Sequence, residues 1–276
     1  MLNTRRSCPV ISFATFLLAT LFSDSQTHAS GMYQLTDLGV APANYYVPII
    51  NASGQVIPDP SGGGSLLNDG TYSTGSRNTG PAGSYQGVLY QNGSLIATIT
   101  TLVGPLTNDE IIPHAVNKSG MVVGSEQSGN FLGPWGTAFS YTVGGGFHAI
   151  PQLDPSPNIL MAALSVNNSG LIVGTSTGPG GYSDSIRKAF LSDGQTSWDL
   201  NTLIAPGSGL TLTSATDISD SGQIAGFGVD SKGQEHIVLL TPNATPEPSV
   251  LMIFAAGSLA VVARRTTRVL GAKFRN

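Results

Sequence analysis

The chain has 276 residues, with 12 basic and 16 acidic side chains, a net charge of −4 and a single cysteine, Cys8. Most of the cations sit near the ends: between Ser30 and Thr245 only Arg77, Lys118, Arg187, Lys188 and Lys232 stand against fourteen acids, a balance of −9. An acidic, cysteine-free middle argues against nucleic-acid binding and removes disulfides, thiolate zinc sites and cysteine nucleophiles. Its length suffices to bury a core of its own.

Arg5 and Arg6 precede an uninterrupted apolar run, Val10 to Phe22, and Thr27-His28-Ala29 places small residues where a signal peptidase reads them. This order predicts a signal peptide over 1–29, cut after Ala29. The run is too short for an ordinary membrane span. The flanking "TRRSCPV" lacks the apolar and lysine positions of a twin-arginine signal, so the general export route is expected.

From residue 30 to 244 one phrase recurs four times: "INASGQVIP" from Ile50, "VNKSGMVVG" from Val116, "VNNSGLIVG" from Val166 and "ISDSGQIAG" from Ile218. Its glycines, Gly54, Gly120, Gly170 and Gly222, are 66, 50 and 52 residues apart, a period typical of propeller or solenoid arrays. The longer first interval holds a Gly/Ser/Asn-rich insertion, 61–86, which reads as a flexible loop. Each complete unit contains four short runs rich in branched and aromatic residues. In one of them Val88 to Gln91 meets Asn92-Gly93, a type I′ hairpin signal. No comparable stretch has helical periodicity.

The repeated phrase is expected to be the turn between the third and fourth strands of a unit. Its Asn (Ser219 in the last copy) bonds the following backbone, and its glycine supplies a positive φ. Gly124, Gly174 and Gly226 then mark close backbone approach or a bulge. The opening unit lacks a leading strand, whereas a lone strand, His236 to Thr241, follows the fourth unit. Joining the two ends in one sheet closes a ring without long open edges. The expected fold is therefore all-β, a four-bladed propeller, or a five-bladed one if the insertion hides a further blade. The units "TAFSYTVGGGFHAI…LSVNNSGLIVG" and "KAFLSDGQTSWDLNTL…SATDISDSGQIAGFG" resemble the HAF family of extracellular repeats, over most of residues 33 to 241. That resemblance implies a fold and no assigned activity.

After Asn243 the composition changes. Pro246-Glu247-Pro248 precedes an apolar run, Ser249 to Ala263, and then Arg264-Arg265. As a helix, 249–263 spans about 22 Å, short for a bilayer but workable with local thinning and snorkelling arginines. The arginines would stay cytoplasmic and the acidic body would lie on the far side. In this order the segment 245–268 resembles the PEP-CTERM sorting signal of Gram-negative bacteria that make exopolysaccharide. The resemblance implies processing by exosortase, transient membrane anchoring, and delivery to the cell surface or extracellular matrix. Residues 269–276 form a short tail.

Motifs for chemistry are scarce: no His-Glu-x-x-His and no phosphate-binding glycine pattern occurs. His114, His148 and His236 fall in separate strand-like runs and read as sheet histidines. Asp217 to Gly222 imitates the start of a calcium loop but has Gly228 where the bidentate glutamate belongs. Asp217 with Asp220, or Asp199 with Asp154, are the carboxylate pairs a polysaccharide-cleaving enzyme would need. The sequons at Asn51, Asn92, Asn167 and Asn243 read as turn chemistry. Trp135 and Trp198 offer stacking surfaces for sugars, although blade packing is the expected role. No catalytic residue, metal site or cofactor is expected. The leading expectation is a non-catalytic surface or matrix protein whose partners, besides signal peptidase and exosortase, are exopolysaccharide or envelope proteins; the alternative is a polysaccharide-modifying enzyme.

Overall fold

The computed structural model describes residues 32–42, 47–59, 71–78, 85–100, 110–127, 136–156, 159–179, 181 and 186–243. The leader with Ala29, the motif Pro246-Glu247-Pro248, the apolar run 249–263, Arg264, Arg265, the tail 269–276 and Trp135 lie outside these residues. The chain divides at Pro242 into a body and a C-terminal unit, 243–276.

The body is all-β. In chain order its strands are β1 (Tyr33–Val40), β2 (Pro48–Ile50), β3 (Val56–Pro58), β4 (Tyr72–Asn78), β5 (Tyr85–Gln91) and β6 (Ser94–Ile99). There follow β7 (Glu110–Val116), β8 (Val122–Gln127), β9 (Thr137–Thr142), β10 (Gly146–Ala149), β11 (Met161–Val166) and β12 (Ile172–Thr177). The last are β13 (Arg187–Ser192), β14 (Ser197–Asp199), β15 (Leu210–Ile218), β16 (Ile224–Asp230) and β17 (Glu235–Pro242). A 3-10 turn at Leu200–Thr202, capped by Asp199, interrupts the pattern.

Antiparallel pairing produces the orders β7-β8-β9-β10, β11-β12-β13-β14 and β15-β16-β17-β1. Each of these sheets joins the last two strands of one sequence unit to the first two of the next, an offset of half a unit. The hairpin β2-β3 stands apart, and β4-β5-β6 touch β7 through the single parallel bridge Tyr85 to Glu110. The two ends of the body meet in one sheet: β1 pairs with β17 from Tyr33 opposite Pro242 onward.

The insertion differs from its expected form. Tyr72 to Asn78, read from sequence as flexible loop, is a regular strand paired with β5 over seven residues. Tyr72 packs on the neighbouring apolar cluster, but beyond it only Thr74 is buried, so apolar alternation is absent; Thr74 and Ser76 instead give their hydroxyls to the carbonyls of Val88 and Ile111. Tyr85 and Gln86, at the end of the insertion, open β5, and residues 61–70 and 79–84 lie outside the described residues.

Three apolar clusters separate successive sheets. Leu89, Ile99, Ile111, Val122 and Phe139 fill the space between β4-β6 and β7-β10, where Phe139 stacks on Phe147 with centroids 4.7 Å apart. Ala115, Val123, Met161, Ile172 and Phe190 form the next cluster, and Val173, Leu191, Leu200, Leu212, Ile224 and Leu240 the one after it. β12 is buried along its whole length, so its three hydroxyl residues must find partners internally. Thr175 donates to the Thr213 carbonyl, Ser176 to the Thr177 carbonyl, and Thr177 accepts from the Leu160 amide.

A bulge recurs just before each of the last three repeat turns. The register slips between Pro113 and Ala115, Ala163 and Ser165, and Ala215 and Asp217, leaving His114, Leu164 and Thr216 unpaired in the ladder. Opposite them lie Gly124, Gly174 and Gly226, where a Cβ would strike the carbonyl oxygens of Ile112, Ala162 and Ser214. A bulge bends its strand and redirects the residues beyond it. In each of these repeats those residues form the turn.

Candidate functional site

Each of the first three repeat turns is built by one asparagine. The Oδ1 of Asn117 accepts from the Ser119 amide at 3.0 Å, the Ser119 hydroxyl at 2.7 Å and the Met121 amide at 3.0 Å. Asn167 and Asn51 do the same in their own turns, with Ser169 and Leu171, and with Ser53 and Gln55. In the fourth turn the Ser219 hydroxyl accepts from the Gln223 amide at 3.1 Å. The four glycines that close these turns have φ between +79° and +86°, the region where a side chain is disfavoured.

The asparagines also connect the turns to one another. Asn117 donates its Nδ2 to the Asn167 carbonyl at 2.9 Å, and Asn167 donates its own to the Ser219 carbonyl at 3.2 Å. A second series runs outside the first. The Lys118 amide donates to Asn168 Oδ1 at 2.9 Å, while the Asn168 amide and Nδ2 donate to the Asp220 carboxylate at 2.9 and 2.6 Å. Both series point the same way along the chain. Both stop at the fourth turn, because Ser219 has no side-chain amide to give and Ala52 has no side-chain acceptor for the Asp220 amide.

Asp217 takes over at that joint. Its Oδ2 accepts from the Ile50 amide at 2.7 Å, and its Oδ1 from the Ser165 hydroxyl at 2.8 Å and the Ile218 amide at 2.9 Å. One carboxylate therefore ties the first, third and fourth repeats together, and next to it the Thr216 hydroxyl donates to the Pro48 carbonyl at 2.6 Å. Burial pushes the Asp217 pKa up, against the opposing pull of its three donors, and the charge of Asp59 adds to the rise.

The turns enclose a cleft of about 200 Å³. Its floor is the apolar residue preceding each asparagine or its equivalent, Ile50, Val116, Val166 and Ile218; its rim carries Asn117, Lys118, Asn167, Asn168, Ser219 and Asp220. Asp217 and Asp220, the first candidate carboxylate pair, line this same cleft. Asp217 is occupied by three donors, and Asp220 is held below the usual carboxylate range by Asn168, with help from Lys118. The second candidate pair is divided between local duties: Asp199 accepts from Asn201 and pairs with Lys188 at 3.4 Å, whereas Asp154 accepts from the Ser156 amide.

The histidines share no partner. His114, the bulge residue of β7, contacts the Ser125 hydroxyl at 3.2 Å, and burial lowers its pKa to about 4. His148 Nε2 lies 2.9 Å from the Gly145 carbonyl. His236 places Nδ1 3.0 Å from both oxygens of Asp37, joining β17 to β1. Among the described residues no group of three or more His, Cys, Asp or Glu is placed to hold a metal ion. Trp198 differs from the packing expected of it: it stands on the edge strand β14 with 37% of its surface exposed. Among the described residues no helix is long and apolar enough to cross a membrane.

Sequence reasoning identified the turns but not their connections. The one signal available was position: Asn168 and Asp220 occupy the same place in successive repeats, each carrying an acceptor for the amide of the preceding turn.

Residues 244–268 match the family model described as the PEP-CTERM protein-sorting motif. That motif implies an exported protein processed by exosortase and destined for the cell surface or the extracellular space. No curated protein and no solved structure matches the chain.

Proposed function

We propose that this protein is a non-catalytic component of the cell surface or exopolysaccharide matrix, in which a HAF-type propeller serves as a binding or scaffolding body and exosortase releases it from a transient membrane anchor. The observation that carries the reading is the state of the cleft. Its carboxylates are taken up in hydrogen bonds that join the repeats, so the groups an enzyme would use for acid or base work instead hold the body together. General acid–base catalysis needs a carboxyl within reach of the substrate proton. A propeller of four blades accounts for the sheet order: β7-β10, β11-β14 and β15-β17 with β1 form three, and β2-β3 with β4-β6 supply the fourth. The terminal pairing of β1 with β17 then acts as the closing clasp. Were β2-β3 and β4-β6 to belong to separate blades, the number would be five.

The test compares the host's matrix polysaccharide before and after incubation with the purified secreted protein, and measures retention of that polysaccharide, or of envelope proteins, on the immobilised body. Retention with unchanged chain length is expected. Shortening or chemical change of the polysaccharide that disappears in Asp217→Asn would establish an enzyme and overturn the proposal.

A further inference from the structure

The cleft among the repeat turns keeps chemical capacity that the joints between repeats do not consume. On its floor Val116, Val166 and Ile218 are 2%, 4% and 5% exposed, so the apolar spot they present is small. It covers a methyl group, not a ring or an alkyl chain. The rim carries one charge of each sign, Lys118 from the second repeat turn and Asp220 from the fourth. Asn168 and, more weakly, Lys118 hold the Asp220 carboxyl ionised. Among the described residues Lys118 and Asp220 form no ion pair with each other. Asn168 takes one bond on each Asp220 oxygen, and a carboxylate oxygen has a second lone pair to offer. Among the described residues the Asp220 amide has no acceptor, since Ala52 stands where Asn168 and Asp220 supply one to the other turns.

We propose that the cleft recognises an N-acetylhexosamine residue of a glycan by its acetamido group. The proposal deepens the binding role given to the body above and rests on it. An acetamido group holds a methyl, a carbonyl acceptor and an N–H donor at fixed spacing. The methyl meets the apolar floor, the carbonyl oxygen accepts from the Lys118 ammonium, and the N–H donates to the Asp220 carboxylate. The open Asp220 amide serves a neighbouring sugar hydroxyl. Competing groups match less of the cleft. A hydroxyl on the same floor loses its water without gaining a partner. A uronate brings negative charge to a body whose balance is −9 and to a cleft that already holds Asp217 and Asp220. A free amine satisfies Asp220 but leaves the floor uncovered and meets Lys118 as a like charge. The volume of about 200 Å³ admits one sugar residue, so single residues are read, not a length of chain.

Calorimetric titration of the purified secreted protein with three disaccharides tests the proposal: the N-acetylglucosamine dimer, its fully deacetylated form, and cellobiose, which has hydroxyls in place of the acetamido groups. The first is expected to bind at least about tenfold more tightly than either of the others. Lys118→Ala keeps the backbone amide that donates to Asn168 and should weaken the first dimer about tenfold while the melting temperature is retained. Lys232→Ala removes the same charge from the β16-β17 turn and should stay within about twofold of wild type. Equal binding of the three disaccharides, binding of none, or equal effects of the two substitutions would overturn the proposal. The N-acetylglucosamine dimer is then used to displace the protein from the host's immobilised matrix polysaccharide and from its purified cell-wall glycan. Displacement from either supports the proposal and names the source of the sugar. Retention that the dimer displaces from neither would overturn it while leaving the broader binding role intact; absence of any retention would bring down that role itself.

Discussion

Asn117 gives its side-chain amide to the backbone carbonyl of Asn167, fifty residues further on, and Asn167 repeats the act toward Ser219. The same side chain thus shapes its own turn and grips the next one. Asn167 is 3% exposed, whereas Asn51 is more open and spends its amide inside its own turn on Gln55. Replacement of Asn167 by Ala is expected to cost roughly 2–4 kcal/mol, as a buried side chain that makes four hydrogen bonds is removed, and Asn51→Ala roughly 1 kcal/mol. Urea denaturation of the body measures both. Equal losses would mean that the inter-turn bond contributes nothing.

Asp217 carries the bond from the fourth repeat to the Ile50 amide. In Asp217→Asn one carbonyl oxygen remains for three donors, so the Ile50 amide hydrogen should exchange at least about tenfold faster, the equivalent of about 1.4 kcal/mol of lost local protection. Because burial raises this carboxyl's pKa in the fold, the wild type binds that proton more tightly when folded. Its contribution to stability is greatest at acid pH and is lost as pH rises through the raised value; the amide variant should lack this component. Unchanged exchange at Ile50 would contradict the role assigned to Asp217.

The bulge glycines make a prediction of contrasts. A methyl group on Gly174 collides with the Ala162 carbonyl and the Phe190 ring, while one on Gly75 meets nothing within 4 Å. Gly174→Ala should destabilise the body by roughly 3 kcal/mol or more, or prevent its folding, as overpacking against backbone does. Gly75→Ala should fall within about 0.5 kcal/mol of wild type. Thermal melts of the two variants side by side decide the matter.

His114 should give the body a pH dependence of its own. Its pKa falls from 6.5 to about 4 on folding, so the unfolded chain binds the proton more readily between those values. Stability from this group is complete above pH 6.5 and declines as pH drops toward 4, by up to about 3 kcal/mol. His114→Leu, which copies the residue found at the equivalent bulge in the third repeat, should flatten this part of the profile relative to wild type. Parallel profiles for the two proteins would contradict the assignment.

Much of this architecture could be read from residues alone, for physical reasons that differ by element. The turns announced themselves because positive φ demands glycine, and the hairpin at Asn92-Gly93 has the two positive φ values, 50° and 77°, that its type requires. The meeting of the first and last strands in one sheet followed from counting strands at the two ends. The half-unit offset of the sheets did not, since every run is strand-like and nothing local says which neighbour it pairs with. β4 escaped notice because Thr74 and Ser76 satisfy themselves on backbone carbonyls, where an apolar alternation would have been visible. Asp217 was read as a candidate acid, and its identity as a joint depends on which donors surround it. Only the fold brings Ile50 and Ser165 to that carboxylate.

The most direct test of sorting and release is the intact mass of the protein recovered from the extracellular fraction, measured in exosortase-competent cells and in cells lacking exosortase. A new N-terminus at Ser30 together with a new C-terminus near Glu247, the latter lost in the deficient cells where the chain stays in the membrane, is the expected result. Extracellular protein that still carries Arg264 and Arg265, in the same amount from both kinds of cell, would contradict it.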